Sequence, residues 1–273
     1  YSGAAAGYTE CAKSSLAAQF NSKKFQDVLK NGNPDYNFVF PCKLMGGLIR
    51  GMIVYAKLEP EYAEDAMRMA KLTADWMIKL TEKEGAPLAD WPPTYWNGWP
   101  PDDEKYAPQN HMTHYPAEAA LAYLDLYDAT KDEKYMTAVR KIADRYMKLR
   151  LKQGTWYQIL NPVSGEPAAP NLLVPTYIIE FFDRLKNQYG ITDYAEARDK
   201  AFNWIMANTM KTYNWQGQFE DVGAKKPYED QSNPDVTKMA EIMFAASGEH
   251  PEYIELAKDL LRFAEDQFVV WDR

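Results

Sequence analysis

The sequence contains few potential metal ligands of the cysteine and histidine types. Its 273 residues include two cysteines, Cys11 and Cys42, and three histidines, with no CxxC pair. Thiol-redox and zinc-finger sites therefore have no support. We expect Cys11 and Cys42 to be buried thiols, with a disulfide between them as the alternative. The His111-x-x-His114 spacing has no evident third ligand nearby, so no metal site is predicted.

Long apolar runs and an excess of basic residues are also absent. No run of about 18 apolar residues occurs, which argues against a membrane span. The net charge of -8 and the pI near 5.1 argue against a nucleic-acid partner. No Walker loop, GxGxxG turn or nucleophile elbow is found, so no cofactor is predicted.

The N-terminus has no signal peptide, and the chain begins with Tyr1 and not with Met. This start suggests that a leader or an N-terminal portion has been removed. We therefore expect the protein to be secreted or periplasmic.

Aromatic residues are abundant, and one loop concentrates them. The segment LADWPPTYWNGWPPDDEKY, residues 88–106, contains three tryptophans among four prolines. The prolines and the Asn97-Gly98 pair exclude a regular helix, so the segment is predicted to be a loop. Clustered tryptophans usually pack against something, which makes this loop a candidate binding element.

Helical periodicity covers most of the remaining chain. The predicted helices span residues 42–58, 60–83, 115–130, 132–152, 174–189, 193–212, 234–247 and 251–268. They form pairs with short, similar connections that end at Tyr62, Tyr135, Tyr194 and Tyr253, which are 73, 59 and 59 residues apart. A shared signature at a regular spacing indicates one repeated helical hairpin.

Within each predicted pair, the first helix is apolar around most of its surface and the second has a narrower apolar stripe. This difference indicates an inner and an outer layer of helices. The pairs are joined by long loops, residues 84–114, 153–173 and 213–233, which should gather on one face, at the N-termini of the inner helices. The middle loop alternates like a β-hairpin around Ser164-Gly165.

This arrangement resembles the six-hairpin glycosidase-like superfamily, whose members include glycoside hydrolases, polysaccharide lyases and sugar epimerases. The resemblance covers roughly residues 42–270 and includes the segments GTWYQILNPVSGEP and NWQGQFEDV, which are similar to those of uncharacterised gut-bacterial proteins of this type. It implies an all-α (α/α) toroid or partial toroid with long loops on one face. We expect a single domain over residues 1–273, either an open ring or part of a longer protein.

Glycoside hydrolysis needs two carboxylates about 5 to 9.5 Å apart. Among the loop carboxylates we favour Asp90 and Asp221, because aromatic neighbours can exclude water and raise a carboxyl pKa. For any single one of these carboxylates, helix capping or pairing with a lysine is an alternative role.

A second chemistry is suggested by His114 and Tyr115 at the start of an inner helix. A lyase or an epimerase moves protons at carbon, a task that suits such a pair. The alternative is that His114 makes a hydrogen bond at the helix start and Tyr115 packs in the core.

The loop aromatics are candidates for stacking on the C–H faces of sugar rings. The predicted substrate-binding residues are Trp91, Trp96, Trp99, Trp156, Tyr157 and Trp215. Some of these rings should instead fold inward and anchor their loops.

The sequence thus favours a carbohydrate-active protein that binds an oligosaccharide or polysaccharide. The leading hypothesis is a glycoside hydrolase with paired carboxylates. A lyase or epimerase that uses His114 and Tyr115 is one alternative, and a non-catalytic helical repeat that binds a glycan or a protein is the other.

Overall fold

The computed structural model describes residues 2–32, 39–99, 103–105, 107–216 and 226–268. Its α-helices are α1 (Ser2–Phe20), α2 (Lys23–Asn31), α3 (Pro41–Leu58), α4 (Ala63–Lys79), α5 (Tyr115–Thr130), α6 (Glu133–Leu149), α7 (Thr176–Tyr189), α8 (Ala195–Ala207), α9 (Thr209–Thr212), α10 (Asn233–Ala246) and α11 (Tyr253–Phe268). A 3₁₀ turn, Pro60–Tyr62, precedes α4, and strands β1 (His111–Met112) and β2 (Ile159–Leu160) form a two-stranded sheet.

The predicted helices are all present, and the all-α class is confirmed. One prediction was too long: the segment 193–212 divides at Asn208 into α8 and α9. The helices α1 and α2 were not predicted. α1 is rich in alanine and serine and has no clear apolar stripe, whereas α2 has ordinary caps, with Ser22 Oγ accepting from Phe25 N–H and Gly32 at φ 79°.

The described helices belong to two compact units. The first unit comprises residues 1–111, 115–146 and 161–166. In it α3 packs against α4 and α5, α1 packs against α3, and α2 packs against α4. The second helix of the α5–α6 pair is tied to the first by Tyr146, whose hydroxyl accepts a hydrogen bond from Ala117 N–H at 3.0 Å.

The second unit comprises residues 112–114, 147–160 and 167–273. In it α7 packs against α8 and α10, and α10 packs against α11. In both units, therefore, the more apolar helices contact one another, α3 with α5 and α7 with α10. Within the pairs α3–α4, α7–α8 and α10–α11 the second helix packs against the first.

The recurring tyrosine has a structural role at the start of the second helix in three of the pairs. Tyr62 stacks on Tyr55 of α3, with ring centroids 6.0 Å apart and an interplanar angle of 9°. Tyr135 likewise stacks on Tyr123 of α5, and Tyr194 stacks on Phe182 of α7. The sequence signature thus marks a ring-on-ring contact that closes each of these hairpins.

The predicted β-hairpin in the middle loop is present. Its arms are joined by hydrogen bonds from Gln158 N to Asn171 O and from Leu173 N to Trp156 O, at 2.9 and 2.8 Å. The turn places Gly165 at φ 75°, a conformation that glycine adopts without strain.

The two cysteines differ in their surroundings. Cys42 is buried in α3 and its thiol approaches the carbonyl oxygens of Pro92 and Pro93 at 3.5 and 3.4 Å, as expected for a buried thiol. Cys11 is exposed on α1, so the expectation that it is buried is wrong. No helix in the described ranges has the length and apolar character to cross a membrane.

Candidate functional site

The best-defined polar cluster lies where α7 and α10 begin in the second unit. Thr176, the first residue of α7, donates a hydrogen bond from Oγ1 to Oδ1 of Asp235 at 2.5 Å. Asp235 is in the first turn of α10, whose N-cap is Ser232. Ser232 Oγ accepts a hydrogen bond from Asp235 N–H at 3.4 Å. Helix capping and the contact with α7 therefore fix this carboxyl group in position.

Burial raises the pKa of the Asp235 carboxyl to about 6. The hydrogen bonds from Thr176 and Ser232 favour the ionised form, but they offset the cost of desolvation only in part. A carboxyl group with a pKa in this range can hold a proton near neutral pH and release it to a substrate. This is the property that a general acid requires.

A second contact between α7 and α10 lies one helical turn further along. Lys238 Nζ is 3.2 Å from Glu180 on α7 and 2.8 Å from Glu241 on its own helix. Burial lowers the pKa of Lys238, but its hydrogen bonds and ion pairs with Glu241 and Glu180 outweigh this effect, and the net pKa is raised. Lys238 is therefore positively charged, and it lies three residues after Asp235 on the same helix.

Aromatic rings adjoin this cation. The ring of Tyr177 lies 5.7 Å from the ring of His114, and Lys238 Nζ is 5.8 Å from the Tyr177 centroid. Tyr115, the predicted partner of His114, is instead buried at the start of α5. The structure thus places His114 against Tyr177, and sequence reasoning missed that tyrosine.

Sequence reasoning also missed Thr176, Asp235 and Lys238. A signal for Asp235 was present, because Ser232 followed three residues later by an acid is a common pattern at a helix start. No signal in the sequence links Asp235 to Thr176, which is 59 residues away. Only the packing of α7 against α10 brings the two side chains together.

The third long loop leads into this cluster. Trp215 is buried, and its backbone makes two hydrogen bonds. Its carbonyl oxygen accepts from Ser232 N–H at 2.7 Å, and its backbone N–H donates to Gln231 Oε1 at 2.8 Å. The described end of the loop is thereby anchored at the N-cap of α10. Asp221, the predicted catalytic carboxylate of this loop, lies outside the described residues.

Asp90, the other predicted carboxylate, belongs to the first unit. It has a left-handed backbone with φ 73°, and its carboxylate oxygens lie 3.6 Å from Lys141 Nζ and 3.6 Å from Arg145 Nη2. Asp90 therefore faces two cations of α6.

Four of the six aromatic residues predicted to bind sugars are covered by protein. Trp91, Trp96, Trp156 and Trp215 are all buried and offer no ring face to solvent. Their described role is to anchor the loops, as the sequence analysis expected for some of these rings. Trp99 and Tyr157 are partly exposed. Lys105 Nζ lies 4.3 Å from the centroid of the Trp99 ring.

The two histidines of the H-x-x-H motif have different neighbours. His111 is buried, and its Nε2 lies 3.5 Å from Oε1 of Glu82, which is also buried. Across the described ranges, no group of three histidine, cysteine, aspartate or glutamate side chains is arranged to hold a metal ion.

The chain is similar to known proteins in structure but not detectably in sequence. The chain matches no protein-family model and no curated protein sequence. Its structure is similar to that of unsaturated glucuronyl hydrolase from Bacillus sp. GL1, with a TM-score of 0.63 and 14% identity over 97% of this chain and 70% of that chain.

Two further solved structures are similar to the chain. Cellobiose 2-epimerase from Spirochaeta thermophila DSM 6192 gives a TM-score of 0.63 at 13% identity, over 95% of this chain and 71% of that one. The GH76A α-1,6-mannanase from Salegentibacter sp. HEL1_6 gives 0.55 at 15% identity, over 88% and 67%. These structures have the (α/α) toroid fold, so the predicted fold of the chain is confirmed.

Proposed function

We propose that this chain is a carbohydrate-active enzyme of the glycoside hydrolase class and that Asp235 is its general acid. One observation carries the proposal: a carboxyl group with a pKa of about 6 is held by Thr176 at the start of α10. At pH 6 about half of such groups carry the proton that a leaving glycosidic oxygen needs.

The neighbouring structures support the choice of substrate class. They are an unsaturated glucuronyl hydrolase, a cellobiose 2-epimerase and an α-1,6-mannanase, which are enzymes that act on carbohydrates. A shared fold does not transfer a reaction, so the chemistry rests on the residues of the Asp235 cluster. The substrate of this chain is proposed to be an oligosaccharide or polysaccharide.

Hydrolysis requires a second carboxylate to act on the anomeric carbon or on a water molecule. Asp221 in the third long loop remains our predicted candidate for this second carboxylate. Asp90, which faces Lys141 and Arg145 in the first unit, is given no role in this reaction. Glu180 is an alternative within the described cluster, since it contacts Lys238, which follows Asp235 by three residues on α10. Secretion or a periplasmic location also remains a prediction.

A second candidate function is a polysaccharide lyase or a sugar epimerase with His114 as the base. The contact between the rings of His114 and Tyr177 favours it, because these side chains can exchange protons with substrate. Lys238, beside Tyr177, supplies a positive charge that could stabilise a developing anion.

The test is to incubate the protein with a panel of neutral and uronate-containing polysaccharides and to follow three products in parallel. New reducing ends report hydrolysis, ultraviolet absorbance reports the unsaturated uronate of a lyase, and chromatography of the disaccharides reports epimerisation. Binding without any of these products would support the non-catalytic alternative and contradict the enzyme proposal.

Variants then assign the roles. Asp235→Asn is expected to lower kcat/KM for hydrolysis by about 10² to 10⁴. Glu255→Gln, which alters an exposed carboxylate on α11, is the matched control and should retain full activity. Loss of activity in His114→Gln with full activity in Asp235→Asn would favour the second candidate.

A further inference from the structure

The first unit contains a groove between α4 and α6 that has no role in the proposed reaction. Its volume is about 760 Å³, and its floor includes Tyr123 of α5. Every residue that lines it belongs to the first unit, whereas the Asp235 cluster belongs to the second. A groove of this size falls in the range of small-molecule sites.

Tyr123 is the unusual residue of this groove. Its side chain is 1% exposed, and its hydroxyl oxygen is buried without a hydrogen-bond partner among the described residues. Nearby buried tyrosines are satisfied: Tyr135 donates to Asp75 Oδ1 at 3.2 Å, and Tyr146 accepts from the backbone of α5 at 3.0 Å. A buried hydroxyl without a partner in the free protein is one that a bound molecule could satisfy.

The charges of the groove restrict what can bind. It is lined by four carboxylates and two ammonium groups, from Asp75, Glu82, Glu84, Asp90, Lys134 and Lys141. Both ammonium groups are near acids of the groove, since Lys134 Nζ is 2.8 Å from Asp75 and Lys141 Nζ is 3.6 Å from Asp90. An anionic ligand would therefore meet an excess of negative charge, which argues against uronates and phosphates.

The remaining lining suits a ligand with both apolar and hydroxyl surfaces. Ile78, Ala138 and Ile142 supply aliphatic surface, and Thr137 adds an exposed hydroxyl-bearing side chain. A pyranose ring presents C–H faces that can pack against these aliphatic side chains. Its hydroxyl groups can form hydrogen bonds with the carboxylates and with the threonine hydroxyl of the groove. Carboxylates accept strong hydrogen bonds from such hydroxyl groups.

We propose that this groove is a second carbohydrate-binding site, which takes a neutral mono- or disaccharide unit and uses the Tyr123 hydroxyl to hold it. The site binds without turnover and is independent of the Asp235 reaction. It therefore goes beyond the proposed function and does not require that function to be hydrolysis.

The experiment is a calorimetric titration of the full chain carrying Asp235→Asn, which slows the proposed hydrolysis, with cellobiose, maltose and lactose as probes. At least one neutral disaccharide is expected to bind, and a glucuronic acid-containing disaccharide is expected to bind more weakly. Tyr123→Phe should weaken the binding by about three- to tenfold, the effect of one hydrogen bond. Ala138→Leu, which fills part of the groove, should abolish it.

Tyr127→Phe is the matched control on the same helix, because its hydroxyl bonds to Glu133 and does not line the groove. It should bind like the parent chain. Unchanged affinity in both Tyr123→Phe and Ala138→Leu would overturn the proposal, as would the absence of any binding by the neutral probes. The titration measures binding and needs no turnover, so a failed hydrolysis assay leaves this test unaffected.

Discussion

Thr176 Oγ1 and Asp235 Oδ1 are 2.5 Å apart, and the two residues are separated by 59 positions in the chain. The same separation relates Tyr135 to Tyr194 and Tyr194 to Tyr253. Thr176 and Asp235 therefore occupy corresponding places in successive helical hairpins, each at the start of the apolar helix. The packing of α7 against α10 brings the hydroxyl to the carboxyl, because both side chains lie in the first turns of these helices.

The first prediction concerns stability and pH. The Asp235 pKa is raised from the ordinary value of 3.8 to about 6 in the folded protein. A raised carboxyl pKa contributes stability that is fully present below the unfolded pKa and is lost as pH rises through the folded one. The contribution of Asp235 to the free energy of unfolding should thus fall between about pH 4 and pH 7, by at most about 3 kcal/mol at ~1.36 kcal/mol per pKa unit.

Asp235→Asn keeps an acceptor oxygen for Thr176 but cannot ionise, so this fall should disappear in the variant. Urea unfolding of both proteins at several pH values measures the difference. Identical pH dependence in the two proteins would show that Asp235 is not the group responsible.

The second prediction concerns the hydrogen bond from Thr176. This bond favours the ionised form of Asp235, so its removal in the nearly isosteric variant Thr176→Val should raise the Asp235 pKa above about 6. Titration of the carboxyl carbon by NMR measures the shift directly. If Asp235 is the general acid, the fall in kcat/KM at alkaline pH should move upward in the same variant. A lower pKa in Thr176→Val would contradict the assignment.

The third prediction separates packing from sugar binding at Trp91. Its indole N–H donates to Ile142 O at 3.4 Å, and its ring lies 4.7 Å from that of Tyr146. Trp91→Ala should destabilise the protein by about 3 to 5 kcal/mol, the usual cost of removing a large buried ring. Trp91→Phe should cost less, because it keeps part of the packing. Neither variant should change KM for a saccharide while the protein is folded, and a large KM change at unaltered stability would restore Trp91 as a binding residue.

The fourth prediction compares a glycine position that cannot accommodate a side chain with one that can. Gly154 has φ 101°, and a Cβ atom there would lie 2.5 Å from the carbonyl oxygen of Lys200. Gly154→Ala should destabilise the protein by about 2 kcal/mol or more, since both the backbone conformation and the space oppose it. Gly47 on α3 has open space around it, so Gly47→Ala should be neutral or stabilising by up to about 1 kcal/mol. Thermal unfolding of the two variants checks this contrast.

Much of the fold could be read from local patterns. The apolar periodicity located α3 to α8, α10 and α11, and the recurring tyrosine identified their pairing. These features depend on residues close together in the chain, which is why a sequence reveals them. α1 escaped prediction because alanine and serine give a helix without an apolar stripe.

The candidate site was less accessible from the sequence. His114 was paired with Tyr115 in the sequence-based prediction, but its ring contact in the structure is with Tyr177, 63 positions away. Trp91 and Trp156 were predicted to bind sugars because they lie in aromatic loops, but both are buried. A tryptophan in a loop has the same sequence signature whether it faces solvent or anchors the loop, and only tertiary packing distinguishes the two.

The sequence by itself determined the helices and their pairing, because apolar periodicity over a few turns fixes which face of each helix is buried. The tertiary structure decided which polar groups meet and what their environment does to them. Asp235 resembles any acid in the first turn of a helix until α7 packs beside it, partly covers it and supplies the Thr176 hydroxyl. Desolvation is a property of the whole packed neighbourhood, and for that reason the raised pKa of Asp235 could not be read from the residues around it in sequence.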